Sequence, residues 1–235
     1  MQLTPTSDQM AETFLNLISN DLRTPLVSIQ GTLSYLQQEE ARDPTAHPAD
    51  ATRRVLIDNA AEEAVRLNRF IGNLLDMARV EAGTLRVEPA LCDAADVIGS
   101  ALERLKDELK DRRVEVTLPP APAFAPMDFV LIVKVLVHLL ENSITYSAPD
   151  TPIDLWVSRA GAFLEISIGD RGVGIPPDDL ARVFDRFYRV PRSEGEIGTG
   201  LGLAICRGIA QAHGGSLQAS CREGGGTIMT LSLPA

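Results

Sequence analysis

The 235-residue sequence is poor in cysteine and aromatic residues and has no long uninterrupted apolar run. Its three cysteines, Cys92, Cys206 and Cys221, are scattered and form no CxxC pair. That spacing excludes a disulfide frame and a thiolate zinc site, and it fits buried thiols in a reducing compartment. The longest apolar stretch, Phe129 to Val137, is interrupted by Lys134 and falls short of the ~20 residues that span a bilayer. No basic stretch followed by an apolar signal core is present. Basic residues are outnumbered, 22 against 32 acidic, giving a net charge of −10. Phosphate contacts need clustered Lys and Arg, so a nucleic-acid surface is not expected. What is there, 45% hydrophobic and 23% charged residues, is enough apolar material for one or two globular domains. The expectation is an acidic, soluble, cytoplasmic protein without membrane insertion by this segment.

The first ~83 residues follow a helical pattern. Leu15, Ile18, Leu22, Leu26, Ile29, Leu33 and Leu36 recur at gaps of three and four, an apolar seam of near-heptad period. The segment Ala41 to Pro48 contains two prolines and ends that helix. A second seam runs Leu56, Ala60, Ala64, Leu67, Ile71, Leu74, Ala78, until Gly83 closes it. Two such helices make a hairpin with an exposed seam, which predicts pairing with a second copy into a dimeric four-helix bundle.

From about Leu85 helical stretches, 94–110 and 128–147, alternate with five β-rich runs. These start at Val114, Ile153, Phe163, Ser216 and Thr227, and several alternate apolar with polar. They predict a sheet covered by a helical layer, an α+β solution. The charged run Glu103 to Arg113 reads as the solvated side of a helix.

Three constellations carry chemistry. Asp170-Arg171-Gly172-Val173-Gly174 follows a predicted strand, and Gly198-Thr199-Gly200-Leu201-Gly202-Leu203 precedes a predicted helix. Glycines admit a phosphate to the backbone, and a helix N-terminus offers it free N–H groups. Asp170 can accept a hydrogen bond from an exocyclic amine such as that of adenine. No Gly-Lys-Ser/Thr follows, so this is not a Walker loop. On helix 128–147, Phe129, Val133, Leu136 and Leu140 read as core, while His138, Asn142 and Tyr146 line another face at i, i+4, i+8. Asn142 can give Mg²⁺ a neutral oxygen ligand, and Tyr146 can pack on a base or ribose. On the first helix Asn20, Asp21 and Thr24 cluster on an exposed side beside Pro25, which removes a backbone donor and should kink the helix.

In this order the motifs resemble the transmitter region of a sensor histidine kinase of two-component signalling. Ser19–Leu26 is similar to the phosphoacceptor box, Leu139–Ser143 to the Asn box and Asp170–Gly174 to the Asp-x-Gly-x-Gly box. Phe184–Arg189 is similar to the phenylalanine box, Gly198–Leu203 to the Gly-x-Gly-Leu-Gly-Leu box, and Gly224–Thr227 to the family's last glycine turn. The resemblance implies a dimerisation and histidine-phosphotransfer hairpin over 1–83. It implies an α/β sandwich ATP-binding domain of the histidine kinase (GHKL) type over 84–235, with a lid over 176–200. It implies ATP and Mg²⁺ as cofactors, with Asp170 reading adenine, Asn142 holding Mg²⁺ and Tyr146 on the nucleotide. Gly172, Gly174, Gly198, Gly200, Leu201 and Gly202 would form the cradle. The implied partners are a second copy and the receiver domain of a response regulator. With no sensor segment before Met1, the chain is expected to be a cytoplasmic piece of a membrane-bound sensor.

Asn20 stands where the family carries its phosphoacceptor histidine. An imidazole offers an in-plane lone pair to phosphorus, whereas an amide nitrogen has its pair delocalised into the carbonyl. His47, in the loop, His138, in the nucleotide stripe, and His213, at a helix end, are poor substitutes. Loss of autophosphorylation is therefore expected. Asp21-Leu22-Arg23-Thr24 keeps the family's phosphatase pattern, in which Thr24 would orient a water toward a partner's aspartyl phosphate and Asp21 would act as base toward the missing histidine. Phosphatase action or γ-phosphate donation in trans would remain open to such a chain. Thr145 replaces a lysine of many members, and Arg186, Arg189 and Arg192 are candidates to supply that charge. A nucleotide-binding scaffold without turnover is the non-enzymatic alternative. An anti-sigma-factor serine kinase is disfavoured by the hairpin.

Overall fold

The computed structural model describes residues 7–42, 50–191 and 199–235, with side chains over 22–39, 52–191 and 199–235. His47, Arg192 and Gly198 lie outside the described residues, as do the side chains of Asn20 and Asp21. The chain divides into two compact units, Met1–Leu75 and Asp76–Ala235.

The first unit is a helical hairpin made of α1 (Ser7–Arg42) and most of α2 (Asp50–Glu81). Pro25 lies inside α1, and the helix continues through it. The seam residues Leu22, Ile29, Leu36, Leu56, Leu67 and Leu74 are half-buried. Others stay open to solvent, with Leu26 at 45%, Leu33 at 52% and Ile71 at 41% exposure. One chain does not cover its own seam.

In the second unit the order is β1 (Ala90–Asp93), α3 (Ala94–Arg104), α4 (Lys106–Leu109), β2 (Val114–Thr117), β3 (Phe124–Met127) and α5 (Phe129–Tyr146). Then come β4 (Ile153–Ala160), β5 (Phe163–Gly169), α6 (Gly202–Ala212), β6 (Ser216–Cys221) and β7 (Thr227–Pro234). Five strands form one sheet in the order β2-β4-β5-β7-β6, antiparallel except for the parallel β2–β4 pair. All five were expected as β-rich runs, several of them alternating. The separate antiparallel pair β1–β3 was not, because its strands are four residues long and Pro126 sits within β3. The single helix expected over 94–110 is broken at Leu105, and Leu105 and Leu109 are both buried.

Asp93 and Asp128 start α3 and α5 in the same way. Each carboxylate accepts backbone N–H bonds from the first turn, Ala95 N–H for Asp93 and Val130 and Leu131 N–H for Asp128, all at 3.1 Å. α5 is the core helix. Ile132, Val133, Val135, Leu136, Leu139 and Leu140 are fully buried against α3, α6 and β5. Phe129, read as core, is instead 37% exposed because it occupies the first helical position, beyond the edge of that packed face. Among the described residues α5 is also the one helix long and apolar enough to cross a membrane by length and composition. From the sheet, Ile153, Leu155, Leu164, Ile166, Ile168, Leu231 and Leu233 complete this core.

Burial sets the chemistry of the thiols. Cys206 on α6 is fully buried, and desolvation pushes its thiol up to about 12. Cys221 is exposed. A disulfide reagent at neutral pH should therefore label Cys221 in the folded protein and reach Cys206 only in denaturant. Equal labelling of both in the native state, mapped by mass spectrometry, would contradict this packing.

Candidate functional site

The site is built at one end of the sheet, where β5 stops and β7 begins. Asp170 follows the last residue of β5, and its N–H donates to the Thr227 carbonyl at 2.9 Å. Its Oδ1 accepts from Gly172 N–H at 2.8 Å and from Thr227 N–H at 3.3 Å. The side chain is 7% exposed, and Oδ2 takes part in neither bond. A carboxylate held by one oxygen and open at the other is equipped to accept one further hydrogen bond. Close backbone approach dictates the neighbours. A Cβ on Gly226, whose φ is +102°, would lie 2.1 Å from the Asp170 carbonyl oxygen. Arg222 braces the joint from outside, bonded to the Asp154 carboxylate and reaching the Asp170 carbonyl at 3.5 Å.

The C-terminal end of α5 supplies the second wall. The Tyr146 carbonyl accepts the Val173 N–H at 3.3 Å, and a Cβ on Gly172 would stand 2.0 Å from that carbonyl oxygen. Tyr146 itself is 38% exposed, and Asn142, one turn earlier, is half-buried. Arg112 fixes this helix end. Its Nη1 donates to the Ile144 and Ser147 carbonyls at 3.4 Å each, and its Nη2 to Thr151 Oγ1 at 3.3 Å and to Ser147 Oγ. A cation among terminal carbonyls satisfies orphan acceptors and opposes the helix dipole. Burial lowers the Arg112 pKa from its ordinary value, and the charges of Asp170 and Asp150 oppose that shift. Arg112 falls in the charged run Glu103–Arg113 read as solvated; the other charged residues of that run are exposed, but Arg112 is half-buried because the chain turns it inward just before β2.

The third wall is the start of α6. Leu201 is fully buried at the N-cap, its N–H donating to Thr199 Oγ1 at 3.3 Å, and no side chain caps the helix. The first-turn N–H groups thus lack a side-chain partner, as an anion-binding helix start requires. Gly200 O accepts the Phe187 N–H at 2.9 Å, and a Cβ on Gly202 would meet only His138, at 3.8 Å. Gly174 lies against Gly226, the turn that approaches Asp170. The expected lid segment begins with two short 3₁₀ turns, Pro177–Asp179 and Arg182–Phe184. There Tyr188 Oη donates to Asp179 Oδ1 at 2.5 Å, which raises its pKa, while Arg182 stacks on its ring. Arg186, a candidate for the missing lysine charge, is engaged by Glu81 at the end of α2. Thr145 is turned back on the helix, donating to the Glu141 carbonyl at 2.8 Å.

The structure therefore brings Asn142, Tyr146, Asp170, Gly172, Gly174, Gly200, Leu201 and Gly202 into the second unit. Asn20, Asp21 and Thr24 lie on α1 in the first, with Thr24 exposed. Arg112 and Arg222 were missed, and Thr227, named in the last glycine turn, was given no role at Asp170. The signal for Thr227 lay in the glycine run before it, whereas Arg112 and Arg222 are ordinary surface residues by sequence. The Gly172–Tyr146 contact sets a direct test. Gly172→Ala should weaken adenine-nucleotide binding at least tenfold by calorimetry with the β-sheet circular dichroism retained, since the added methyl pushes α5 and the Asp170 loop apart. Unchanged affinity would mean that this contact does not shape the pocket.

The chain matches two family models in sequence order. Residues 10–83 match "His Kinase A (phospho-acceptor) domain" and residues 127–235 match "Histidine kinase-, DNA gyrase B-, and HSP90-like ATPase". It is similar to the sensor protein KdpD of Escherichia coli, 32% identical over 227 residues, which is 97% of this chain and 25% of KdpD. It is also similar to the sensor-like histidine kinase SenX3 of Mycolicibacterium smegmatis, 32% identical over 94% of this chain and 56% of SenX3. The chain thus spans between a quarter and somewhat over half of these relatives. Among solved structures, the Acinetobacter baumannii histidine kinase AdeS superimposes with a TM-score of 0.69 at 26% identity, over 91% of this chain and 96% of that one. With hairpin, ATPase-type domain and motifs in the same order, the chain belongs to the sensor histidine kinases, as their transmitter core.

Proposed function

We propose that this core binds Mg·ATP in the second unit, dimerises through the hairpin and acts on the receiver domain of a response regulator without phosphorylating itself. The observation that carries the nucleotide reading is the Asp170 carboxylate, anchored by Oδ1 and open at Oδ2. Oδ2 would accept the adenine amine, Tyr146 would pack on the base or ribose, and the uncapped start of α6 would receive phosphate oxygens. The residues present fit a cation too. Asn142 is half-buried and its amide has no hydrogen bond among the described residues, so its oxygen is available to Mg²⁺. The ion would supply charge neutralisation on the phosphates. The exposed apolar seam of α1 and α2 supports pairing with a second copy.

Asn20 carries the second half of the proposal. It sits on the acceptor helix with no nucleophilic nitrogen, while Thr24 remains exposed for work on an aspartyl phosphate of a regulator. The same composition suits a chain that donates γ-phosphate to a histidine on another subunit. The cognate sensor is proposed to be a longer membrane-bound protein with this core in the cytoplasm.

Two experiments test this. Asp170→Asn keeps an oxygen for both backbone N–H bonds and replaces the open acceptor by an NH₂ donor. The variant should melt like the parent and lose ATP binding by calorimetry; retained affinity would remove Asp170 as the adenine reader. With γ-labelled ATP, the chain as it stands should take no acid-labile label and Asn20→His should gain one. Label on the Asn20 chain would show another acceptor. An unlabelled Asn20→His protein that binds ATP would favour a scaffold without turnover.

A further inference from the structure

Asp154 lies in β4, paired across the ladder with Gly169, the residue before Asp170. Ile153, Leu155 and Val157 of that strand point into the core, so Asp154 and Trp156 point to the other face of the sheet. On that face two arginines from separate parts of the chain meet one carboxylate oxygen. Arg171, the residue after Asp170, places Nη2 3.0 Å from Asp154 Oδ2 and donates from Nη1 to the Pro152 carbonyl at 3.2 Å. Arg222, the residue after β6, bonds the same Oδ2 through its Nη2. Its Nη1 reaches the Asp170 carbonyl at 3.5 Å, and its N–H donates at 3.1 Å to the carbonyl of Gly226, in the turn that approaches Asp170.

The sheet order is β4-β5-β7-β6, so the Arg222 side chain must cross β7 and β5 to reach Asp154. It crosses at Gly169, where a Cβ would stand 2.8 Å from Nη1 and 3.2 Å from the Trp156 ring. Asp154 and Arg222 are half-buried, so solvent screens this pair less than an exposed one. The Asp170 loop is therefore held from both sides. α5 holds it from the core side through the Tyr146 carbonyl, and Asp154 holds it from the opposite side through two guanidinium groups.

We propose that Asp154 is a positioning residue of the nucleotide pocket: through Arg171 and Arg222 it sets the place of the Asp170 carboxylate, and with it the preference for a purine that carries an exocyclic amine. This rests on the reading of Asp170 above as the acceptor of that amine. Asp154 acts through Asp170 and not on the ligand itself. Stacking on Tyr146 and phosphate binding at the start of α6 draw on other elements. A hydrogen bond weakens steeply with distance and angle, so a small shift of the loop costs the amine contact and little else.

The test compares, by calorimetry in Mg²⁺, the affinity of the full chain for ATP and for purine riboside triphosphate, which lacks the exocyclic amine. The parent should prefer ATP by about tenfold or more, as for a hydrogen bond to a charged group. Asp154→Asn leaves one neutral oxygen for two cations. It should lower ATP affinity about tenfold and leave the amine-free ligand within about twofold of the parent. Added to Asp170→Asn, it should cost ATP nothing further. Should Asp154→Asn fold poorly, Arg222→Lys decides, since it keeps the charge but cannot bridge Asp154 and the Asp170 carbonyl with a forked head. It should lose part of the preference for ATP. Equal losses for both ligands would make this cluster a brace of the fold alone and overturn the proposal, as would an unchanged preference in the variants. A parent chain that binds both ligands equally, or neither, would overturn the reading of Asp170 and the proposal with it.

Discussion

The second unit depends on how closely three backbones approach around Asp170. Its Oδ1 ties the end of β5 to the start of β7 and to its own loop. The carbonyl of Tyr146 enters that loop from α5 at a distance no side chain at Gly172 would allow, and the Asp170 carbonyl does the same at Gly226. A buried carboxylate is costly unless its oxygens are satisfied. Here two N–H groups satisfy one oxygen, and the other takes part in neither bond. Packing and recognition are thus one arrangement, and the glycines of the loop follow from geometry.

α5 carries the two demands in one helix. One side is apolar apart from Ser143 and forms the core beneath the sheet. A flanking stripe offers His138, Asn142 and Tyr146 at intervals of one turn. A helix anchored this firmly positions its polar side chains better than a loop would, which suits a site that works by placement and charge. Its ends are fixed as well, by Asp128 at the start and by Arg112 among the last carbonyls. Arg112 thereby acts on the pocket without lining it.

Much of this was legible from the sequence, for local reasons. The five sheet strands declare themselves as β-rich runs, several of them alternating, α5 by its apolar run between Asp128 and Ser147, and the pocket by glycines beside Asp170. What escaped notice depends on tertiary partners. β1 and β3 are too short to show a period, and they exist because they pair with each other. The helix break at Leu105 interrupts a good helical pattern and leaves no signal in the sequence. Arg112 and Arg222 look like solvent charges until a helix end and a strand end are brought beside them. Of the pocket residues expected from sequence, Gly198 alone lies outside the described chain.

Asn20 is consistent with the rest of the molecule because acceptor and pocket are built separately. Every residue assigned to the nucleotide belongs to the unit that begins at Asp76, and none is borrowed from α1. Exchanging an imidazole for an amide at position 20 therefore removes a nucleophile without loosening Asp170, the glycine turns or the start of α6. The converse also holds. Thr24 stands one helical turn beyond Asn20 on the same helix, in the unit that holds none of the residues assigned to nucleotide. Under the proposed function the chain would keep two separate devices, a nucleotide pocket in one unit and a helix face in the other.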